Sequence, residues 1–200
     1  MTPRVIALIP AGGESRRMRE NKLALPWKNA TILTHLVGQL APLVDRTLVL
    51  LGPRSESLRS EIHAPAEIHA TPGQTPDMRS TIEFGLTHLE QEDPNETGIL
   101  IALADQPQIR RPLVEQMILL FRNQPMRLIV PTVDGKTAHP ILIPLAILRE
   151  LPGLQTHLGL NSLVRSHAPS TNFLPIDDPW MLLDIDEPAD YDRLRRKNDD

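Results

Sequence analysis

A chain of 200 residues with 40% hydrophobic content can build one core of ordinary size, and a single domain over residues 1–200 is expected; with aromatics at only 3%, that core must be aliphatic. The net charge of −4 provides no basic excess for neutralising a phosphate backbone, which argues against a general nucleic-acid binder. Absence of cysteine excludes disulfides and thiolate metal sites, and without a leader pattern or an apolar run of about 18 residues the expected setting is cytoplasmic, with no membrane segment.

In chain order, residues 5–9 form a short apolar run bounded by Pro10 and the Gly12-Gly13 pair, which predicts a strand buried on both faces of a parallel sheet. The two glycines permit φ > 0 and close approach of a ligand to the backbone. Arg16, Arg17, Arg19 and Lys22 follow at once, so backbone N–H groups and mobile cations converge on one place. The stretch reads either as a polyphosphate cradle or as a tight βα turn with solvated arginines. It carries neither G-x-x-x-x-G-K-[ST] nor G-x-G-x-x-G.

Ile32, Leu33, Leu36, Val37, Leu40 and Leu43 fall at helical spacing, with Pro42 marking the end of that helix. Residues 47–51 predict a second strand, 55–62 a short helix, Ile68 a brief extended piece and 71–76 a loop. Asp77 is placed to N-cap a helix with Ile82, Leu86 and Leu89 on one face and Ser80 and Thr81 in its first turn. Residues 99–104 form another strand, ending at Asp105-Gln106-Pro107. Pro112 then opens a helix carrying Val114, Met117, Ile118 and Phe121, and 128–130 is a further strand.

This β-α-β-α-β-α-β order predicts an α/β fold, with a mostly parallel, Rossmann-like sheet between two layers of helices. The last third predicts a mixed-sheet extension: 141–143 extended, 145–151 and 158–167 helical, 180–185 extended, and a final helix from Pro188. Its end, 193–200, is of mixed charge and reads as solvated.

Ligands of such folds bind outside the carboxyl ends of the strands, where Gly12-Gly13 and Asp105 both fall. A carboxylate there, beside a basic loop, suits Mg²⁺, which takes one or two carboxylates together with phosphate oxygens and water. Asp184 and Asp186, sharing one face of an extended strand, offer a second donor pair. The same residues also read as helix caps: Asp105 as an N-cap, and Asp184 with Asp186 as a capping pair before Pro188. His35, His63, His69, His88 and His167 lack metal-ligand spacing and read as surface or satisfied core groups.

Ala11-Gly12-Gly13-Glu14-Ser15-Arg16-Arg17-Met18, with Lys22 and Leu25-Pro26-Trp27 behind it, resembles the A-G-G-x-S-x-R-M-G-x-x-K-x-x-L-P-W signature of the molybdenum cofactor nucleotidyltransferases, relatives of the sugar-phosphate nucleotidyltransferases. Three further motifs are similar to family segments in the same order. Met78 to Leu86 resembles M-x-S-S-L-x-x-G-L, Leu103-Ala104-Asp105-Gln106-Pro107 matches L-A-D-Q-P, and Asp184 to Tyr191 resembles D-I-D-T-P-x-D-Y.

The resemblance implies a nucleotide-diphospho-sugar transferase type of fold and a Mg²⁺-dependent transfer of a nucleoside monophosphate from CTP or GTP to a small phosphorylated acceptor such as molybdopterin. A molybdoenzyme or chaperone is the implied protein partner. Arg17, Lys22 and Asp105 take the catalytic roles. Ala11, Gly12, Gly13, Arg17, Lys22, Ser80 and Thr81 bind nucleotide, and Asp105, Asp184 and Asp186 bind the metal. Ala11-Gly12-Gly13 is similar to the guanylyl branch, whereas the three later motifs are similar to the cytidylyl branch and favour CTP.

The chain departs from the family in three stretches. Arg19 stands for a glycine. The G-H-P segment appears as Ala138-His139-Pro140, and G-D-x-G-A-R appears as Thr156-His157-Leu158-Gly159-Leu160-Asn161. His139 and His157 lie in these acceptor-facing stretches, and Arg165, one helical turn after Asn161, is the candidate to replace the lost arginine. The alternatives are a guanylyltransferase, a sugar-phosphate nucleotidyltransferase, and a non-catalytic nucleotide-binding or chaperone-like homologue, the last motivated by residues 19, 138, 157 and 161.

Overall fold

The computed structural model describes residues 2–13, 16–18, 20–73, 75 and 77–199, so the expectation attached to Arg19 lies outside the described residues. In chain order the elements are β1 (Arg4–Ala11), a small hairpin of β2 (Pro26–Trp27) and β3 (Ala30–Thr31), α1 (Ile32–Leu40), β4 (Arg46–Leu51), β5 (Glu67–Ala70) and α2 (Met78–Thr87). Then come β6 (Thr97–Ile101), α3 (Arg111–Asn123), β7 (Leu128–Val133), β8 (Lys136–Thr137), β9 (Ile141–Pro144), α4 (Leu145–Leu148), α5 (Leu160–Ser166), β10 (Thr171–Pro175) and α6 (Pro188–Asp199).

The main sheet has strand order β10-β7-β9-β6-β1-β4-β5, with β8 pairing β7. β1 lies at its centre, parallel to both β4 and β6. β9 runs antiparallel to β6 with Ile141 opposite Ile101, so the residues that precede β9 sit at the same edge as the carboxyl end of β6. Successive side chains alternate across a strand. Val5 and Ile9 therefore enter a core with Leu36, Val114 and Phe121 on one side. Ile6 and Leu8 enter a second with Ile82, Leu148 and Leu163 on the other. The result is the predicted αβα sandwich around a mostly parallel sheet. Gly85 lets α2 settle close on it, since a Cβ there would lie 2.8 Å from a Leu8 methyl and 2.9 Å from a Leu50 methyl.

Two expectations in the last third are corrected. Thr171–Pro175 is an edge strand parallel to β7, hidden in the sequence by its short length and terminal proline. Residues 180–182 are not extended: Pro179–Leu182 forms a 3₁₀ turn, with Pro179 in its first position and the Asp178 side chain accepting from Trp180 N at 3.2 Å, and extended backbone resumes only at Leu183. Residues 183–186, which carry Asp184 and Asp186, join no sheet.

His35, on α1, packs near Trp27 and accepts a hydrogen bond from the Gln39 amide. Burial, with the charge of Lys28 as a smaller cause, lowers its pKa from 6.5 to about 4. The folded value lies below the unfolded one, so this contribution to stability is complete above pH 6.5 and is lost as pH falls from there toward 4. The urea midpoint is accordingly expected to drop between pH 7.5 and pH 5, and to drop less in His35→Gln.

Candidate active site

The loop after β1 owes its glycines to packing as much as to ligand access. Neither Gly12 nor Gly13 adopts the left-handed φ that their sequence suggests; Gly73 and Gly135 do. A Cβ on Gly12 would stand 2.6 Å from Thr75 Oγ1 and 2.9 Å from Thr81 Oγ1, and a Cβ on Gly52 would lie 2.8 Å from Gly12 Cα. Three segments thus meet at Gly12 closer than any side chain allows. Gly13 is exposed, and among the described residues nothing lies within 4 Å of the position its Cβ would take, which leaves its backbone open to a ligand on that side.

Behind Gly12, the hydroxyls of α2 serve its first turn. Ser80 N and Oγ both donate to Asp77 Oδ1, at 2.8 and 2.9 Å, which makes Asp77 the predicted N-cap. Thr81 Oγ1 shares a hydrogen bond of 2.7 Å with Thr75 Oγ1.

Facing the loop is a cluster of carboxylates and cations. Lys22 Nζ donates to Asp105 Oδ2 at 2.5 Å and to Asp186 Oδ1 at 3.1 Å, while Arg17 Nη1 reaches Asp186 Oδ2 at 3.2 Å. The side chain of Arg16 is outside the described residues. Asp105 caps no helix: α3 begins at Arg111, with Arg110 in the capping position. At the start of α6, Asp190 in the first turn accepts from Asp186 N and Glu187 N at 3.3 and 3.0 Å.

Gln106 and Gln108, to which the sequence assigned no task, tie the C-terminal segment into the site. Gln106 Nε2 donates to Asp184 Oδ1 at 2.6 Å, and Gln108 Nε2 donates to the carbonyls of Leu183 and Trp180 at 2.7 and 3.1 Å. Tyr191 completes the tie by donating to Pro26 O at 2.5 Å. Contacts spanning more than seventy positions leave no periodic trace that would reveal them.

The electrostatics follow from this crowding. Loss of water on its inner side, then the charge of Asp105, raises the pKa of the Asp184 carboxyl, with Asp186 adding to the rise; the Gln106 hydrogen bond and Lys22 oppose it. Burial presses Lys22 toward losing its proton, but attraction to Asp105 and Asp186 outweighs it and the net shift is upward. Among the described residues, no group of three or more His, Asp or Glu side chains is gathered closely enough to hold a metal ion. The donor chemistry nevertheless fits a hard divalent cation. Asp105, Asp184 and Asp186 supply carboxylate oxygens, and Asp184, whose pKa is raised first by burial and then by the charge of Asp105, carries a repulsion that such a cation would relieve.

Two cavities stand out, of which the first shares Asp184 with the cluster. One, of about 230 Å³, is lined by Gln106, Ala138, His139, Asn161, Met181 and Asp184 among others. His139 Nδ1 faces the Ile101 carbonyl at 3.4 Å, and burial lowers its pKa despite that hydrogen bond and the nearby charge of Asp105. The imidazole is therefore neutral at physiological pH. The second cavity, also about 230 Å³, lies between the start of α2 and the stretch 156–160, and His157 lines it. The two histidines named from sequence therefore occupy different cavities. Arg165 lines neither; it is exposed and donates to Ser162 Oγ on its own helix at 3.2 Å.

Arg79 walls the second cavity and was not singled out by sequence. It donates to the carbonyls of Gln155, Leu158, Leu151 and Leu154 at 2.6–3.0 Å and to Glu83 at 2.7 Å, locking the His157 loop onto α2. Arg79→Gln should cost about 3 kcal/mol by urea denaturation, because several carbonyls lose a charged donor at once. Hydrogen exchange should rise first across residues 151–160.

A family model described as the MobA-like NTP transferase domain matches residues 7–171. The purine catabolism protein PucB of Bacillus subtilis is 30% identical over 205 aligned positions, covering 98% of this chain and 98% of that one. A probable molybdenum cofactor guanylyltransferase of Natranaerobius thermophilus is 27% identical over 68% of this chain and 63% of its own. Rv0371c of Mycobacterium tuberculosis superposes with a TM-score of 0.83 at 21% identity, over 96% of this chain and 98% of that one. Its manganese complex gives a TM-score of 0.77 at the same identity and coverage. At that identity the superposition speaks to the fold alone, which is the expected nucleotidyltransferase type. No helix among the described residues is long and apolar enough to cross a membrane. With a family model spanning most of its length and a relative aligned along nearly all of both chains, the protein belongs to the MobA-like NTP transferase family of nucleotidyltransferases.

Proposed function

We propose that this chain is a Mg²⁺-dependent nucleotidyltransferase that moves CMP from CTP to the phosphate of a small acceptor such as molybdopterin, releasing pyrophosphate. The observation that carries the reading is the convergence of Arg17, Lys22, Asp105, Asp184 and Asp186 at one sheet edge, from segments up to 169 positions apart.

In this reaction an acceptor phosphate oxygen attacks the α-phosphorus, the bond from that phosphorus to the bridging oxygen breaks, and pyrophosphate departs with the electron pair. The nucleophile is already an anion, so no protein base is needed and catalysis rests on positioning and charge neutralisation. Lys22 offers the triphosphate a point charge and Arg17 a planar fork of donors. The open backbone at Gly13 lets the phosphates approach. Asp105, with Asp184 or Asp186, would hold Mg²⁺, which when bound draws charge from the leaving pyrophosphate. Gln106 orients Asp184. Of the residues expected to read the acceptor, His139 is the one beside the carboxylates, and its neutral ring offers a hydrogen bond rather than a charge.

The similarity of residues 78–86, 103–107 and 184–191 to the cytidylyl branch supports CTP. GTP is the second reading, favoured by Ala11-Gly12-Gly13 and by likeness to the Natranaerobius guanylyltransferase. Likeness to the Bacillus protein named for purine catabolism supports assigning the product to that process. The test is pyrophosphate release by the purified protein with Mg²⁺ and molybdopterin, with CTP and GTP compared. Release with CTP is expected, and release with GTP alone moves the assignment to the second reading. Release with neither, together with Mg²⁺-independent thermal stabilisation by nucleotide, would identify a binding homogue without turnover.

A further inference from the structure

On the site reading just given, Lys22 and the divalent cation claim the same oxygens. The ammonium stands 2.5 Å from Asp105 Oδ2 and 3.1 Å from Asp186 Oδ1, two of the carboxylates assigned to Mg²⁺. Only 13% of the Lys22 side chain and 19% of the Asp105 side chain is exposed, so water screens this contact poorly. The Arg17–Asp186 pair, 69% and 51% exposed, is a much weaker constraint.

Mg²⁺ bonds its oxygen ligands at about 2.1 Å. An ion seated on Asp105 Oδ2 would therefore share one oxygen with an ammonium at ordinary hydrogen-bond distance, and charges of +2 and +1 that close, away from bulk water, repel strongly. The backbone under Lys22 is held by its neighbours, while the side chain above it has four rotatable carbons. Lys22 opens a 3₁₀ turn capped by Asn21, whose Oδ1 accepts from Leu23 N at 3.1 Å and whose Nδ2 donates to Arg54 O at 2.8 Å, while Leu23 is 4% exposed. A four-carbon side chain on such a base can turn from one anion to another.

We propose that Lys22 is a tethered counter-ion of the cation-binding carboxylates, displaced when the divalent cation enters and taken up by the phosphates of the nucleotide, so that cation and triphosphate bind cooperatively. The phosphates give the displaced ammonium a new partner, and the cation takes over the carboxylates that the nucleotide draws Lys22 away from. Each ligand lowers the cost of binding the other, and by linkage the two effects are equal.

The experiment measures Mn²⁺ binding to the whole chain by calorimetry, with and without non-hydrolysable CTP and GTP analogues, for wild type, Lys22→Met and Asp105→Asn. Wild type is expected to bind Mn²⁺ about tenfold tighter in the presence of its preferred analogue. Lys22→Met should bind Mn²⁺ alone about tenfold tighter than wild type and lose most of the coupling. Deleting a positive charge strengthens cation binding through the field alone, so the movement is read separately, as the rate of Lys22 acetylation followed by mass spectrometry. Saturating Mn²⁺ should raise that rate severalfold, and adding the analogue should lower it again.

A Lys22 acetylation rate that Mn²⁺ leaves unchanged or reduces, or a Lys22→Met variant that binds Mn²⁺ no tighter than wild type, overturns the proposal and leaves the cation site standing. If Asp105→Asn also binds Mn²⁺ as wild type does, the reading of the carboxylates fails and the proposal fails with it.

Discussion

Asp105→Asn is expected to reduce the turnover of pyrophosphate release by about 10³-fold, the scale seen when a preorganised electrostatic group is removed from a reacting centre. Asp105 lies in the turn that follows β6, a strand buried along its whole length, and its carboxylate is 2.5 Å from Lys22. The amide keeps the shape of the side chain and still accepts from Lys22 through its oxygen, but it removes the charge that a divalent cation and the ammonium both require. Stability should fall by only about 1–2 kcal/mol, since the hydrogen bond survives in weakened form. Steady-state kinetics and urea denaturation on one preparation separate the two effects. A loss of turnover below tenfold would remove Asp105 from the reaction.

The second large effect concerns the glycines around the first loop, which should give opposite signatures. A Cβ at position 52 would lie 2.8 Å from Gly12 Cα and 2.9 Å from Gly12 O, backbone atoms that no rotamer change can move aside. Gly52→Ala should therefore cost about 1–3 kcal/mol and displace the loop that carries Gly13, lowering nucleotide affinity as well. Among the described residues, none stands within 4 Å of a Cβ at Gly13. Gly13→Ala should leave the urea midpoint unchanged while weakening CTP binding by about tenfold, because the new methyl occupies the ligand's approach rather than the protein's interior. Equal losses of stability in the two variants would contradict this division.

Sheet and helices were legible in the sequence because burial on both faces leaves nearly unbroken apolar runs, as in β1 and β6, and because Asp77 and Pro112 mark helix starts by simple chemistry. The segment 171–186 was not. A short edge strand ending in proline looks like loop, and the turn at Pro179–Leu182 is fixed by the Asp178 cap rather than by any hydrophobic period.

At the site, Lys22, Asp105 and Asp186 were named by motif and do come together. The ties around them were invisible, since Gln106 acts on Asp184, 78 positions away, and Arg79 fastens the loop before α5 to α2 through backbone carbonyls that carry no side-chain signature. Gly12 was recognised as necessary for the wrong reason: it accommodates two threonines rather than a left-handed turn.

Nucleotidyl transfer is defined by which bond of the triphosphate breaks, and isotopic labelling tests this most directly. With Mg²⁺ and molybdopterin, label from [α-³²P]CTP should appear in the acceptor, while label from [γ-³²P]CTP should appear only in pyrophosphate. Release of γ-label as inorganic phosphate in the absence of pyrophosphatase, with no α-label in the acceptor, would contradict the assignment of this sheet edge to nucleotidyl transfer.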